Sequence, residues 1–241
     1  MDKQETLGLS VVIPIFNEVG NIPQLLENLI SFSRNVTFLH EFIIVDGQST
    51  DGTLEALKNL PVNPNIRILF LTESKGYGAD IQEGLKIAKY DYLGWTHADL
   101  QTDICDLEIA FYKIKSSTQS IIVKGQRKNR RKLERFFTIG MEVAVLFYTK
   151  HFISDINAQP KLFSKNFYSS LPKKLWPDDF SLDLFILLEA KKRNLAIKTV
   201  PVLFNKRQFG EAKGGGSWSS RLKLIKRTLS YVKELSKKID S

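Results

Sequence analysis

Three short polar clusters carry residue types suited to ligand chemistry, and each follows directly on an apolar run. Asn17-Glu18 comes after Leu9-Ser10-Val11-Val12-Ile13-Pro14, Asp46 ends Phe42-Ile43-Ile44-Val45, and His97-Ala98-Asp99 follows Tyr92-Leu93-Gly94-Trp95. A carboxylate in such a place can accept hydrogen bonds from a base or a ribose, or give a hard oxygen to a divalent cation. Taken singly, each cluster is explained by a solvated loop or a helix cap, and Asp46 before Gly47 by a turn. Their shared phase along the chain points instead to one composite site.

The elements that must position these residues are legible in the first half. Strands are expected at 9–14, 42–45, 66–70 and 92–95, separated by helices through Ile22 to Ile30, from about Asp51 to Leu60, and from Ala79 to Ala88. Continuous apolar strands alternating with helices indicate βαβ units and a parallel sheet covered on both faces. Right-handed crossovers then bring the C-terminal ends of the strands to one edge, where such sheets bind ligands. The second half is less regular. Lys132 to Phe152 is an amphipathic stretch, and Ile197 to Phe204 reads as a strand that contains Pro201, hence an edge or bulged strand. The fold class expected is α/β, with a mixed, mainly parallel Rossmann-like sheet flanked by helices. Two parts are expected: a domain over 1–213, then a Gly-rich hinge and basic amphipathic helix over 214–241.

Length and composition limit the function classes. A chain of 241 residues with 43% hydrophobic and 25% charged residues builds a sizeable core and is neither disordered nor fibrous. No apolar run reaches the roughly 20 residues needed to cross a bilayer, and the polar N-terminus lacks a signal-peptide pattern, so a cytoplasmic location is expected. The single cysteine, Cys105, excludes an internal disulfide and a cysteine-cluster metal site, and is read as a passive, partly buried thiol near a helix start. The net charge of +9 is concentrated in Lys124 to Lys132 and from Arg221 to Lys238. Such patches attract phosphates, but no recognition motif accompanies them, and no nucleic-acid partner is expected.

The run Val12-Ile13-Pro14-Ile15-Phe16-Asn17-Glu18, followed by Val45-Asp46-Gly47-Gln48-Ser49-Thr50-Asp51-Gly52-Thr53, resembles the opening of family 2 glycosyltransferases. Lys75-Gly76-Tyr77-Gly78-Ala79, Ala98-Asp99-Leu100-Gln101, Thr199-Val200-Pro201-Val202, Arg207 and Gly210-Glu211-Ala212-Lys213 then match in order. The late segments resemble the branch that includes dolichyl-phosphate mannosyltransferase and bacterial polyprenyl-phosphate glycosyltransferases. The resemblance covers roughly residues 9 to 213 and implies a GT-A fold, a nucleotide-sugar donor linked to UDP or GDP, and transfer with inversion. It places Pro14, Asn17, Glu18, Asp46, Lys75, Ala79, Ala98, Arg207 and Lys213 at the donor. It gives Asp99, Asp155, Asp183 and Arg127 catalytic or acceptor-orienting roles, while Arg130 and Arg131 are read as solvated.

The resemblance also implies Mg²⁺ or Mn²⁺ held by an Asp-x-Asp motif. Here the first Asp is His97, so Asp99 is expected to be the principal ligand, with Gln101 auxiliary and Mn²⁺ favoured over Mg²⁺ because it tolerates nitrogen better. His97 can bind the metal, donate to a phosphate or fill space. If the acceptor is a phosphate it is already anionic, and positioning and charge stabilisation carry the chemistry. The tail sets Trp218, Leu222, Ile225, Leu229, Val232, Leu235 and Ile239 at helical spacing among Lys and Arg, as a helix in the headgroups of an anionic membrane would, or one packed on its own domain. Phe136 to Tyr148 can dock on lipid, pack in the core or form a homodimer. The expected partners are a nucleotide-sugar donor, a lipid-phosphate or glycan acceptor and the inner face of the cell membrane, in cell-envelope glycan synthesis. A saccharide acceptor, or a non-catalytic nucleotide-sugar-binding protein, is the alternative.

Overall fold

The computed structural model describes residues 7–129 and 132–207, together with 209, 222, 226, 230, 231 and 233. Its frame is a seven-stranded sheet in the order β3-β2-β1-β4-β6-β5-β7. The strands are β1 (Gly8–Ile15), β2 (Leu39–Asp46), β3 (Ile66–Phe70), β4 (Tyr92–Trp95), β5 (Ile121–Lys128), β6 (Lys161–Ser164) and β7 (Ala196–Leu203). The helices are α1 (Ile22–Asn35), α2 (Thr53–Lys58), α3 (Tyr77–Lys86), α4 (Asp106–Lys115), α5 (Lys132–Thr149), α6 (Lys165–Ser170) and α7 (Leu182–Lys192). Only β6 runs antiparallel, between β4 and β5. The α/β mixed, mainly parallel sheet expected from the strand pattern is therefore the one observed.

The apolar runs of β1, β2 and β4 become strands because both of their faces are covered. One apolar cluster, including Val12, Val45, Trp95, Phe163 and Phe185, lies on the α3 and α7 side. The other, including Val11, Ile13, Phe42, Ile44 and Phe111, lies on the α1 and α4 side. β7 pairs only with β5, so Pro201 sits on an edge strand where its missing N–H breaks no central ladder. α1 begins with Pro23 in its first turn, where the absent N–H is unneeded.

One expectation needs correcting. Cys105 precedes α4 as expected, but its side chain is exposed. Partial burial and the Asp103, Glu108 and Asp106 carboxylates push the thiol up to about 11, which keeps it protonated and passive. In the tail, the described residues 222, 226, 230, 231 and 233 are helical, and Tyr231 packs against the core on the α3 and α7 side. Gly214 to Gly216, Trp218 and the rest of that stretch lie outside the described residues.

Candidate functional site

The edge formed by the C-terminal ends of β1, β2 and β4 gathers the three polar clusters. Since β1 pairs with both β2 and β4, Asp46 and the His97-Asp99 turn lie two strand spacings apart, about 10 Å. The loop after β1 is tied to the loop after β2. Ser49 Oγ accepts from the Asn17 N–H at 2.8 Å, Asn17 Oδ1 from the Thr50 N–H at 2.7 Å, and Thr53 Oγ1 from the Glu18 N–H at 2.9 Å. Asn17 and Gln48 adopt left-handed φ values of 54° and 62°, which these ties hold in place. Asp46 is fully buried, and its Oδ2 accepts the Ser49 N–H at 3.2 Å. Its Oδ1 is buried with no hydrogen-bond partner. A buried acceptor without a donor is costly unless something fills it.

Asp80, in the first turn of α3, stands behind this pocket. Ser74 Oγ donates to its carboxyl at 2.8 Å, and a side chain on Gly47 would run into it. Burial, with Asp46 and Glu83 adding negative charge nearby, pushes Asp80 up to about 6.

The start of α3 is not open to a ligand anion. The Asp178 carbonyl accepts the Gly78 N–H at 2.8 Å and the Ala79 N–H at 3.1 Å. Gly76, at φ 127°, and Gly78 let this loop approach, since a Cβ on Gly78 would stand 2.7 Å from the Asp179 carbonyl. Lys75 is exposed just before that turn.

Around Asp99 the charges converge. Arg207 pairs with Glu18, and its second guanidinium nitrogen lies 3.6 Å from Asp99 Oδ2. His97 Nδ1 lies 3.8 Å from the same oxygen, and Asp99 Oδ1 accepts the Gln101 N–H at 3.1 Å. Burial raises the Asp99 carboxyl, but the His97 ring, the Gln101 N–H and Arg207 outweigh it and hold it below its ordinary value. The Gln101 side chain instead pins the segment after β7, donating to the Asn205 carbonyl at 3.0 Å. That contact uses the amide nitrogen, not the oxygen expected as the auxiliary metal donor.

Among the described residues no three His, Cys, Asp or Glu side chains form a metal-holding group. The donor chemistry still fits a divalent ion that arrives with a diphosphate. Asp99 gives one ionised hard oxygen, and the ligand and water would supply the remaining oxygens.

Beneath the site lies a buried polar network. Asp183, fully enclosed, accepts from Lys161 Nζ at 2.7 Å, the Trp95 indole N–H at 3.1 Å and the Gln159 amide at 3.1 Å. It therefore orients its neighbours and does not reach an acceptor, contrary to the role expected for it. Gln159 also reaches the Tyr77 hydroxyl at 3.2 Å, and that hydroxyl meets His97 Nε2 at 3.0 Å. Burial of the phenol and the Asp183 and Asp99 carboxylates push Tyr77 well above the ordinary phenol value, so it keeps its proton. Asp155 holds Arg127: one oxygen accepts the Arg127 backbone N–H at 2.7 Å and the other accepts Nε at 2.8 Å. The guanidinium lies 5.2 Å over the Phe204 ring. Lys124, fully buried, donates to the Gly125 and Asp155 carbonyls, each at 2.9 Å, and burial with the Lys161 charge lowers it to about 7.

Of the expected donor residues, Pro14, Asn17, Glu18, Asp46, Ala98 and Arg207 share this edge. Ala79 lies in the plugged first turn of α3, while Lys213 lies outside the described residues, as do Arg130 and Arg131. Tyr77, Asp80, Gln159, Lys124 and Lys161 were missed. Two lysines bracketed by apolar residues, in Val123-Lys124-Gly125 and Pro160-Lys161-Leu162, were the available signal.

Residues 10–169 match the sequence profile of Glycosyl transferase family 2. The chain belongs to this family and is a glycosyltransferase. A dolichyl-phosphate beta-glucosyltransferase of Trichomonas vaginalis is 28% identical over 232 residues, spanning 90% of this chain and 72% of that protein. A dodecaprenyl-phosphate galacturonate synthase of Rhizobium johnstonii is 30% identical over 132 residues, 54% of this chain and 39% of that one. The chain spans between 64% and 73% of the length of the four dolichyl-phosphate beta-glucosyltransferases it matches. Glucosyl-3-phosphoglycerate synthase from Mycobacterium tuberculosis, solved with Mn²⁺, UDP and phosphoglyceric acid, superposes with a TM-score of 0.74 at 16% identity, over 95% of this chain and 78% of that one. That likeness establishes the GT-A fold.

Proposed function

We propose that the chain transfers a glycosyl group from a UDP-sugar to the phosphate of a polyprenyl phosphate at a membrane surface. The observation that carries the donor half is the buried Asp46 oxygen with no partner at the end of β2. A nucleobase ring N–H satisfies it, and the two strand spacings from the end of β2 to the Asp99 turn, about 10 Å, are a span that a nucleoside diphosphate can bridge. The solved neighbours hold UDP with Mn²⁺ or Mg²⁺, which favours uracil over guanine and supports a divalent ion here. The lipid-phosphate acceptor is supported by the names of the relatives.

In the reaction, Asp46 orients the base, and the tied loops around Asn17 and Glu18 wall the nucleoside. Asp99 and Arg207 face the diphosphate. A divalent ion on Asp99 would act as a Lewis acid on the leaving group. An acceptor phosphate oxygen bonds to the anomeric carbon as the bond to the diphosphate breaks, and UDP leaves with the electron pair. Arg127, fixed by Asp155, is placed to bind the acceptor phosphate with its planar fork. The attacking phosphate is already an anion, so Asp155 has no proton to remove and acts by orienting Arg127.

The membrane reading rests on α5. Met141 and Val145 face the core, while Phe136, Ile139, Val143 and Phe147 form an exposed stripe at helical spacing, with Phe136 71% and Phe147 70% exposed. Lys128, Arg135 and Lys150 are exposed beside it. Apolar residues rimmed by cations suit an anionic headgroup layer. No helix among the described residues is long and apolar enough to cross a membrane.

Calorimetric titration of UDP and GDP, with and without Mn²⁺, tests the donor half. UDP binding that strengthens with Mn²⁺ and loses that gain in Asp99→Ala is expected; a folded protein that binds neither nucleotide overturns it. Transfer to soluble oligosaccharides but not to lipid phosphates overturns the acceptor half.

A further inference from the structure

His97 stands where the resemblance leads one to expect a metal-binding carboxylate, and the buried network beneath it has a direction. That direction can be read from groups able to hydrogen-bond in only one sense. Lys161 Nζ and the Trp95 indole N–H can only donate, and both are aimed at Asp183 Oδ1, at 2.7 and 3.1 Å. Asp183 Oδ1 is thus an acceptor. The Gln159 amide facing it, at 3.1 Å, must therefore present its NH₂ group and not its oxygen. The same NH₂ group lies 3.2 Å from the Tyr77 oxygen, to which it gives its second hydrogen. Tyr77 has one proton of its own, and His97 Nε2, at 3.0 Å, is placed to take it. An imidazole that accepts at Nε2 is neutral and carries its proton on Nδ1. Nδ1 lies beside Asp99, 3.8 Å from its Oδ2 and too far for that carboxylate to satisfy it, on a ring that is 28% exposed.

We infer that the Asp183–Gln159–Tyr77 chain locks His97 as its Nδ1–H tautomer, making it a hydrogen-bond donor to the diphosphate of the nucleotide and not a metal ligand. Tyr77 is then a positioning residue that acts through His97. The inference rests on the donor-site reading above for its ligand, but the tautomer itself exists in the free protein. It has a simple chemical content. A carboxylate at position 97 would help hold a cation and reach the phosphates through it; an N–H at the same place reaches them directly. Together with the Arg207 guanidinium, 3.6 Å from Asp99, it offers donors to the diphosphate, which lowers the demand on a bound ion.

The test is nitrogen NMR of the full chain with ¹⁵N-labelled histidine. It is run at a pH of about 8.5, well above the ordinary imidazole value of about 6.5. The protein has three histidines. His40 is an internal standard, because its Nδ1 faces the Phe38 carbonyl at 3.0 Å and must carry the proton. His97, assigned by its loss in His97→Asn, is expected to show the same pattern, with an unprotonated Nε2. The pattern should persist when UDP and Mg²⁺ are added. Tyr77→Phe should move the proton to Nε2 and weaken UDP roughly tenfold, the worth of one hydrogen bond to a charged group. Uridine, which lacks the phosphates, should stay within about twofold. His97→Asn, whose amide can offer an N–H near the former Nδ1, should recover most of the UDP affinity. A proton on Nε2 in the unmodified protein, or loss of the Nδ1 proton when Mg²⁺ and UDP bind, overturns the inference. If neither uridine nor UDP binds, the donor-site reading falls, and the tautomer pattern still decides what the chain does to His97.

Discussion

The partnerless Asp46 oxygen gives a prediction that separates a nucleotide pocket from a buried turn residue. Replacing Asp46 by Asn keeps the shape but gives the side chain one acceptor and one donor in place of two acceptors. The side chain then faces two donors, the Ser49 N–H at 3.2 Å and the incoming base N–H. Whichever way the amide turns, one donor meets another. The loss is one hydrogen bond to a charged group, about 1.5–3 kcal/mol, or about 10- to 150-fold in affinity. The free protein should behave in the opposite way. Asp46→Asn removes a fully buried charge whose Oδ1 has no partner, so its thermal midpoint should hold or rise. Calorimetric titration of UDP beside a melting curve reads both. A variant that binds UDP within about twofold of the original would refute the assignment of that oxygen to the base. A variant that binds poorly but also unfolds early would refute the claim that Asp46 awaits a ligand.

Asp80→Asn should stabilise the free protein at pH 7–8. The folded state holds a proton up to about pH 6 that the unfolded chain releases near 3.8. Stability is therefore lost as pH rises through that window, by an amount on the order of 1–3 kcal/mol, and the advantage of the Asn variant should vanish below about pH 4 in urea titrations. Asp183→Ala should destabilise by about 3–5 kcal/mol because it leaves Lys161 buried and unpaired; Asp183→Ala with Lys161→Met should recover much of that loss. Recovery of catalysis by the double variant would be unexpected, since the Gln159–Tyr77 orientation also depends on Asp183. Phe136→Ser with Phe147→Ser should abolish sedimentation with anionic vesicles and leave UDP binding in solution unchanged. A dimer that becomes a monomer on the same change, without loss of vesicle binding, would assign the stripe to a second copy instead.

The first half of the fold was legible because β1, β2 and β4 are buried on both faces and read as apolar runs, and because the edge strand β3 is still four-fifths apolar. Strands at 66–70 and 92–95 were placed to the residue. β5 was hidden because its second half, Lys124 to Lys128, is charged and polar, with Lys124 and Arg127 engaged by Asp155 and Lys128 exposed. β6 is four residues long and begins with the buried Lys161, so neither length nor composition marks it. The donor edge was legible through the phase of its polar clusters. The network under it was not, because its meaning lies in contacts such as Tyr77 with Gln159, separated by 82 positions. Asp183 shows the cost of carrying a role over by position alone: its place in the chain suggested an acceptor contact, whereas its carboxylate is already engaged by Lys161, Trp95 and Gln159.

The Glu18–Arg207 pair joins positions 189 apart. During synthesis β1 to β4 emerge early and can pair with one another, but the wall that Arg207 forms beside Asp99 cannot close until β7 and the four residues after it have left the ribosome. A chain released short of residue 207 would keep Asp46 and Asp99 and lack that wall. Such a fragment could compete for nucleotide while transferring nothing well, so competence waits on the synthesis of residue 207.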